Sequence, residues 1–208
     1  MDFFGRAICH QIDERSLLVD GKVLSVCARD IGIYIGIFST LIYLCLVKRK
    51  ASITIPTVKM SFFLLFFMLP LMVDGVGSYA HLFESTNIRR LMTGICFGLV
   101  LPYFIYPLVM GKSLDATSKP VIKGSRDVFV PALLSGMLGG MSFYRWLPFL
   151  VLDGFIVLTI IVWFSLCAGC LLSRVHRLYL KWSLSILGGI SFLTFLSWGH
   201  EWVLSLAN

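Results

Sequence analysis

Four side chains near the start of the chain are of the types that bind transition metals in proteins. They are Cys9, His10, Cys27 and Asp30, and they lie in the segment CHQIDERSLLVDGKVLSVCARD. Thiolate and imidazole ligands suit zinc or copper, and a carboxylate oxygen can complete a zinc site. The residue types therefore predict a metal site, with zinc as the first candidate ion and another divalent transition metal as the alternative.

The same two cysteines also allow two explanations without a metal. A Cys9–Cys27 disulfide would tie the polar N-terminal segment to the first apolar run, which is the usual chemistry of an oxidising compartment. Alternatively, both thiols are buried simply as small apolar side chains. A structural zinc site commonly contains a CxxC pair, and here Asp30 takes the place of the second cysteine. The residues alone leave these explanations open.

A second polar stretch, VDGVGSYAHLFESTNIRRLMTG, occupies residues 73–94 between two apolar runs. Acidic and basic side chains at membrane depth are costly unless they pair or line a cavity, so they indicate a functional site. If residues 84–94 are helical, the side chains at 84, 87 and 90 lie near one face. The alternative is a solvated loop whose arginines reach lipid headgroups. The polar members of the stretch are Asp74, His81, Glu84, Asn87, Arg89 and Arg90. Those for which we predict catalytic roles are Asp74, Glu84, Asn87 and Arg90.

The composition identifies the kind of chain that positions these side chains. Of its 208 residues, 58% are hydrophobic and 14% are charged, whereas a soluble domain is about half apolar and about a quarter charged. The sequence therefore predicts an all-α fold, a polytopic transmembrane helical bundle. Its apolar runs are approximately Ile31–Val47, Met60–Val73, Leu91–Gly111, Val128–Ser142, Leu147–Leu172 and Trp182–Leu204.

The lengths of the runs set the expected number of helices. A helix that spans the membrane takes about 20 residues, so the second and fourth runs are short. The second can extend through Asp74–Phe83 where protein shields it. We expect six helices, or five if the fourth run only enters the membrane. We divide the chain into a polar segment at 1–30, three helices at 31–111 and three further helices at 112–208, all within one membrane domain.

The basic residues orient the predicted helices. With the KRK segment at 48–50 in the cytoplasm, eleven basic and two acidic residues lie inside, against seven basic and nine acidic residues outside. We therefore expect a multi-pass protein of the cell membrane with both termini extracytoplasmic. No cleavable signal peptide is visible, so we expect the first helix to direct insertion. Both polar stretches fall on the outer side, which indicates an outward-facing site or simply the exclusion of carboxylates from the basic side.

The C-terminal half contains fewer polar features. Asp153 interrupts the apolar run FLVLDGFIVL and requires a partner, for which Arg145 is the nearest candidate. His200 and Glu201 either complete the outer site or cap the last helix within the aromatic belt. The CAGC segment at 167–170 has the spacing of a redox pair but lies at the predicted cytoplasmic end, so we interpret its cysteines as packing residues.

The motifs of both polar stretches resemble one known family. CHQIDERS, VCARDIGIYIG, VDG and ESTNIRRLMTG are similar, in this order, to the pattern of the predicted membrane proteins called domain of unknown function 2085. The resemblance covers roughly residues 9–100. The matching residues are Cys9, His10, Arg15, Ser16, Cys27, Ala28, Arg29, Gly32, Ile33, Tyr34, Gly36, Asp74, Gly75, Glu84, Ser85, Asn87, Arg90, Thr93 and Gly94.

The resemblance implies that the two polar stretches belong to one site. It also favours a metal over a disulfide. Many members read CARC where this chain has Cys27-Ala28-Arg29-Asp30, so the resemblance implies mixed cysteine, histidine and aspartate ligands rather than four thiolates. The family implies no reaction.

Three classes of function are compatible with these observations. The first is a metal-dependent membrane enzyme acting on a lipid or a lipid-linked phosphate, in which the metal activates water and an arginine neutralises the phosphate. Its candidate arginines are Arg89, Arg90 and Arg145, and its candidate bases are Glu84 and Asp74. The second is a protein that binds or transports a small solute, and the third is an accessory subunit of a larger membrane complex. Short basic clusters between apolar runs are topology signals, so we expect no nucleic-acid partner despite the net charge of +7.

Overall fold

A computed structural model describes residues 2–9, 15–47, 53–109, 118–172, 175 and 177–207. The chain forms two compact units. The terminal unit consists of Met1–Cys27 and Leu147–Asn208, and the central unit consists of Ala28–Trp146. These boundaries differ from the division at 30 and 111 that the hydropathy suggested, and that division stays a prediction.

Helices dominate the described residues, and each of the six predicted apolar runs overlaps one long helix. The elements in chain order are α1 (Asp2–Arg6), β1 (Ser16–Val19), β2 (Lys22–Cys27), α2 (Ala28–Val47), β3 (Ile53–Thr54), α3 (Val58–Tyr79), α4 (Asn87–Val109), β4 (Lys119–Pro120), α5 (Arg126–Phe143), α6 (Phe149–Leu171) and α7 (Leu178–Ala207). The all-α membrane class is therefore confirmed.

Five helices in the described part of the chain are long and apolar enough to cross a membrane. They are α2, α3, α4, α6 and the Tyr179–Val203 part of α7. The second run does extend past Asp74, because α3 continues to Tyr79. The fourth run forms α5, which has 18 residues and is not among the candidate spans. Length and composition thus support the five-span alternative, with α5 as a sixth, shorter helix.

The central unit is built on a close pairing of α2 with α4. Each helix presents two glycines four residues apart, Gly32 with Gly36 and Gly94 with Gly98. A Cβ atom at Gly98 would lie 2.0 Å from the carbonyl oxygen of Ile33 on the facing helix. Small residues at this spacing let membrane helices approach closely, and backbone contact replaces the hydrophobic driving force that lipid removes.

Two helices of the central unit end with the same backbone motif. At the end of α3, the N–H of Leu82 donates to the carbonyl of Gly77 at 2.9 Å, and His81 between them has a φ of 53°. At the end of α5, Arg145 has a φ of 59°. It is enclosed by a backbone hydrogen bond of the same kind, from an N–H after the helix to a carbonyl in its last turn. The left-handed position after a helix is the one that glycine usually occupies.

In the terminal unit, the segment predicted only as polar contains a β-hairpin. β1 and β2 pair antiparallel, and Val19 pairs with Lys22 across an Asp20-Gly21 turn. Both turn residues have positive φ, 51° and 72°, which is the geometry that the Asp-Gly dipeptide favours in tight hairpins. The apolar face of the hairpin is buried, with Val19 and Val26 at 0% exposure. Sequence analysis missed this hairpin although its turn signal was present.

Candidate functional site

The two cysteines of the predicted metal site lie together in the terminal unit. Their sulfur atoms are within 4.8 Å of each other. Cys9 follows α1 and is buried, and its backbone N–H donates to the carbonyl of Gly5 at 2.9 Å. Cys27 ends β2, and its N–H donates to the Cys9 sulfur at 3.3 Å. Such an N–H bond stabilises negative charge on the sulfur, so this hairpin end suits a thiolate.

The other two predicted ligands differ in what the structure says of them. Asp30 follows Cys27 by three residues and stands in the first turn of α2. His10 is adjacent to Cys9 in sequence but lies outside the described residues. Of the predicted ligands, the two cysteines therefore lie close together. The histidine ligand stays a prediction.

Asp74 is the centre of the second predicted stretch, and it is fully buried in the central unit. Its carboxylate contacts three side chains on three segments, two through hydrogen bonds and one through an ion pair. Arg29 of α2 donates at 2.7 Å, Ser85 of the following loop at 2.6 Å, and Arg89 of α4 contacts it at 3.1 Å. One carboxylate thus faces two guanidinium groups, so the cluster carries a net positive charge.

The geometry around Arg89 explains a glycine that sequence analysis did not use. A Cβ atom at Gly77 would lie 2.3 Å from the ring of Phe83, so only glycine leaves room for that ring. The Phe83 ring in turn lies under the Arg89 guanidinium at 4.1 Å, which is a cation–π distance. The loop therefore holds Arg89 in place from one side while Asp74 holds it from the other.

The remaining residues of this stretch lie in different surroundings. α4 begins at Asn87, so Glu84 precedes the helix and does not share the helical face expected from the spacing. Glu84 and His81 are exposed, Asn87 is half-buried, and Arg90 is buried at 8% exposure. The structure thus separates Glu84 from the other candidates, and their catalytic roles stay predictions.

Arg29 and Ser85 are the partners of Asp74 that our site prediction omitted. Both belong to the motifs that carry the family resemblance, Arg29 in VCARDIGIYIG and Ser85 in ESTNIRRLMTG. Three motifs that are far apart in sequence therefore meet at one carboxylate. The resemblance contained this signal, but spacing along a single helix could not show it.

A second buried carboxylate in the central unit escaped sequence analysis. Asp127 is 6% exposed and accepts hydrogen bonds from the Tyr43 hydroxyl at 2.5 Å and from the backbone N–H of Lys123 at 2.7 Å. The Tyr103 hydroxyl donates to its backbone carbonyl. These contacts tie α2 and α4 to the start of α5, so we assign Asp127 a structural role.

Asp153 in the terminal unit is fully buried, as its position in an apolar run required. Its two oxygens accept hydrogen bonds from the Ser25 backbone at 3.0 Å and the Ser25 hydroxyl at 2.9 Å. The predicted partner was Arg145, but Arg145 is exposed and caps α5. Ser25 on β2 was not anticipated, because the hairpin that presents it was not predicted. Near the other chain end, Glu201 forms an ion pair with Arg6.

Five apolar helices with buried, paired charges define a polytopic integral membrane protein. The family described as predicted membrane protein (DUF2085) matches residues 9–104, which contain Cys9, Cys27 and the whole Asp74 cluster. The chain belongs to this family, as its motifs indicated.

Two relatives of this chain are archaeal. An uncharacterised protein of Methanocaldococcus jannaschii is 34% identical over 101 residues, covering 49% of this chain and 63% of the relative. An uncharacterised protein of Methanothermobacter thermautotrophicus is 34% identical over 96 residues, covering 46% of this chain and 82% of the relative. No solved structure matches the chain.

Proposed function

We propose that this membrane protein binds a transition-metal ion, zinc first, through Cys9, Cys27 and Asp30. The observation that carries the proposal is the proximity of the two sulfur atoms, which lie within 4.8 Å of each other. Two thiolates on one tetrahedral zinc ion, with bonds of about 2.3 Å, are about 3.8 Å apart. Little movement of the hairpin end is therefore needed to bring both sulfurs onto one ion.

Asp30 and His10 enter the proposal through their positions in the chain. Two intervening residues are a common separation for paired zinc ligands, and Asp30 has this separation from Cys27. His10 is adjacent to Cys9 and offers a further donor. Catalytic zinc typically has three protein ligands of mixed type and keeps its fourth position for water. Three of these four residues would hold the ion in that way, and the ion would then lower the pKa of the bound water and supply a nucleophile.

The cations expected of a phosphate site are close to these ligands in sequence. Arg29 stands between Cys27 and Asp30 and donates to Asp74. We propose a metal-dependent enzyme that acts on a lipid or a lipid-linked phosphate, with arginines neutralising the anion. In this proposal Asp74 positions Arg29 and Arg89, because donors already occupy both of its oxygens. The exposed Glu84 is then the better candidate for the general base.

Elemental analysis of the purified full-length protein tests the metal proposal. We expect one zinc ion per chain in the native protein, and its loss in Cys9→Ser, Cys27→Ser and Asp30→Asn. Cys45→Ser is the matched control, because Cys45 is an exposed cysteine of α2, and it should retain the metal. Metal-free protein with Cys9 and Cys27 oxidised to each other would overturn the proposal. Metal-free protein that co-purifies with a larger assembly would favour an accessory subunit instead.

The reaction is tested separately from the metal. Detergent-solubilised protein loaded with zinc should release inorganic phosphate from a lipid phosphate, and Cys27→Ser should abolish this release. Glu84→Gln should retain the metal and lose the release. A zinc-loaded protein that releases no phosphate from monophosphate or diphosphate lipids would refute the enzymatic proposal while leaving the metal site intact.

A further inference from the structure

An open groove lies between α3 and α4 in the central unit. Its volume is about 310 Å³, within the range of small-ligand pockets, about 300–1,000 Å³. Four apolar side chains of α3 and two side chains of α4 line this groove. They are Phe66, Leu69, Pro70, Val73, Arg89 and Thr93. The groove therefore combines an apolar wall with one cationic side chain.

Among the described residues, the cation in this groove shares its one carboxylate partner with a second arginine. Asp74 is shared between Arg29 at 2.7 Å and Arg89 at 3.1 Å, so two positive charges face one negative charge. Among the described residues, this ion pair engages only Nε of Arg89, and 45% of its side chain is exposed. Its other N–H groups can donate hydrogen bonds to an anion, and a phosphate suits the planar fork of a guanidinium.

The apolar wall of the groove belongs to α3, whose apolar side chains are largely exposed. Phe66 is 69% exposed, Leu69 is 45% exposed and Val73 is 58% exposed. Because α3 is long and apolar enough to cross the membrane, lipid is the medium that covers such a face. An acyl chain along this wall and an anionic headgroup on Arg89 would satisfy both halves of the groove.

We propose that an anionic phospholipid occupies this groove, with its phosphate on Arg89 and one acyl chain against Phe66, Leu69 and Val73. The net positive charge of the Arg29–Asp74–Arg89 cluster selects against a zwitterionic headgroup, whose own cation it repels. All residues of this groove belong to the central unit, and lipid binding there does not require the metal site. Lipid binding and metal binding can therefore succeed or fail independently.

Native mass spectrometry of the full chain in a neutral detergent tests this proposal. Delipidated protein is titrated with phosphatidylglycerol, phosphatidylcholine, glycerol phosphate and oleate. We expect phosphatidylglycerol to bind at least about tenfold more tightly than phosphatidylcholine, since the two arginines repel the choline cation and the glycerol headgroup has no such charge. The headgroup alone and the fatty acid alone should each bind more weakly than the complete lipid.

Two variants separate the two halves of the groove. Val73→Trp fills the apolar side of the groove and leaves the Arg89 residue itself unchanged, and it should weaken phosphatidylglycerol binding about tenfold. Met72→Trp is its matched control, because Met72 is exposed on the same helix but does not line the groove. Arg89→Gln should remove the preference for phosphatidylglycerol over phosphatidylcholine.

Several outcomes would overturn the lipid proposal. They are equal affinity for the two phospholipids, full binding by Val73→Trp, and glycerol phosphate binding as tightly as the lipid. Zinc content is measured in the same samples. Loss of lipid binding with zinc retained would show that only this proposal fails.

Discussion

The central unit contains two buried carboxylates that lie at opposite ends of α2 and are satisfied in different ways. Arg29 at one end donates to Asp74, and Tyr43 near the other end donates to Asp127. These two α2 residues are about 21 Å apart along the helix, at about 1.5 Å per residue. Asp74 is held by two guanidinium groups and a hydroxyl, whereas a tyrosine hydroxyl and backbone N–H groups hold Asp127.

The difference between the partners distinguishes a candidate binding site at Asp74 from a contact at Asp127 that holds helices together. The donors described above for the Asp127 carboxylate are a tyrosine hydroxyl of α2 and backbone N–H groups just before α5, so these contacts join the two elements. The two arginines on Asp74 leave one positive charge in excess, on a side chain that is 45% exposed. A buried carboxylate alone is thus weak evidence of function, and the charge of its partners is the stronger indicator.

Both clusters depend on the close approach of α2 and α4, which a single added methyl group would prevent. In Gly98→Ala the new Cβ atom would meet the backbone carbonyl of Ile33, and neither helix can avoid this contact by a rotamer change. We expect a loss of about 3 kcal/mol in unfolding free energy, measured by denaturant titration in mixed micelles. Lipid binding should fall as well, because Arg29 and Arg89 lie on the two separated helices.

Gly136→Ala is the matched control for this prediction. Gly136 lies in α5, and an added Cβ atom there would meet nothing within 4 Å. This variant should be neutral or slightly more stable, since alanine favours helix more than glycine does. Equal effects of the two substitutions would show that the α2–α4 contact does not limit stability.

A second pair of variants tests the two carboxylates directly. Asp74→Asn keeps the shape of the side chain but leaves two arginines facing each other. We expect a loss of about 2 kcal/mol, below the value for a fully buried pair because both arginines are partly exposed. Asp127→Asn weakens the hydrogen bonds from the Tyr43 hydroxyl and the Lys123 N–H, and it should lower the unfolding free energy by about 1 kcal/mol. The same micelle titration measures both.

The salt dependence of these variants sharpens the comparison further. Asp74→Asn leaves like charges together, so added salt should recover part of its stability. Asp127→Asn creates no such repulsion and should show no comparable recovery. If Asp127→Asn were less stable than Asp74→Asn, or if salt restored the stability of both equally, the two clusters would not differ electrostatically in the way we expect.

The sequence predicted the helices well and the clusters only in part. Hydropathy located the six long helices of the described residues but not the short α1, because apolar length is a strong signal in a membrane chain. It placed Asp74 and Arg89 in one stretch, but the third partner Arg29 is 45 residues away in sequence from Asp74. Spacing arguments act within one helix, whereas this carboxylate is satisfied across three segments.

The Asp127 cluster, unlike the Asp74 cluster, was not predicted from the sequence at all. Asp127 stands in a basic segment that reads as an ordinary helix start, and Tyr43 and Tyr103 look like interfacial aromatics. The α2–α4 contact was readable, since GIYIG and GICFG each contain two glycines four residues apart. We interpreted Gly32, Gly36 and Gly94 only as family motif residues and did not use Gly98. The Asp20-Gly21 hairpin was likewise present as a turn signal and overlooked.

The smallest expected effect concerns the helices that carry the two carboxylates, α3 and α5. Each ends with a non-glycine residue in the left-handed region, His81 at a φ of 53° and Arg145 at a φ of 59°. Glycine at either position removes the steric strain on the Cβ atom, so His81→Gly and Arg145→Gly should each raise the unfolding free energy by about 0.5–1 kcal/mol. His81→Val should do the reverse, because a β-branched residue tolerates positive φ poorly.

Equal gains at both positions would show that the two helix ends are equivalent in backbone energy, which leaves the partners of Asp74 and Asp127 as the difference between the clusters. A gain at Arg145 with a loss at His81 would instead mean that the His81 side chain contributes to the Asp74 region, and the contrast between the two clusters would then extend beyond their arginines.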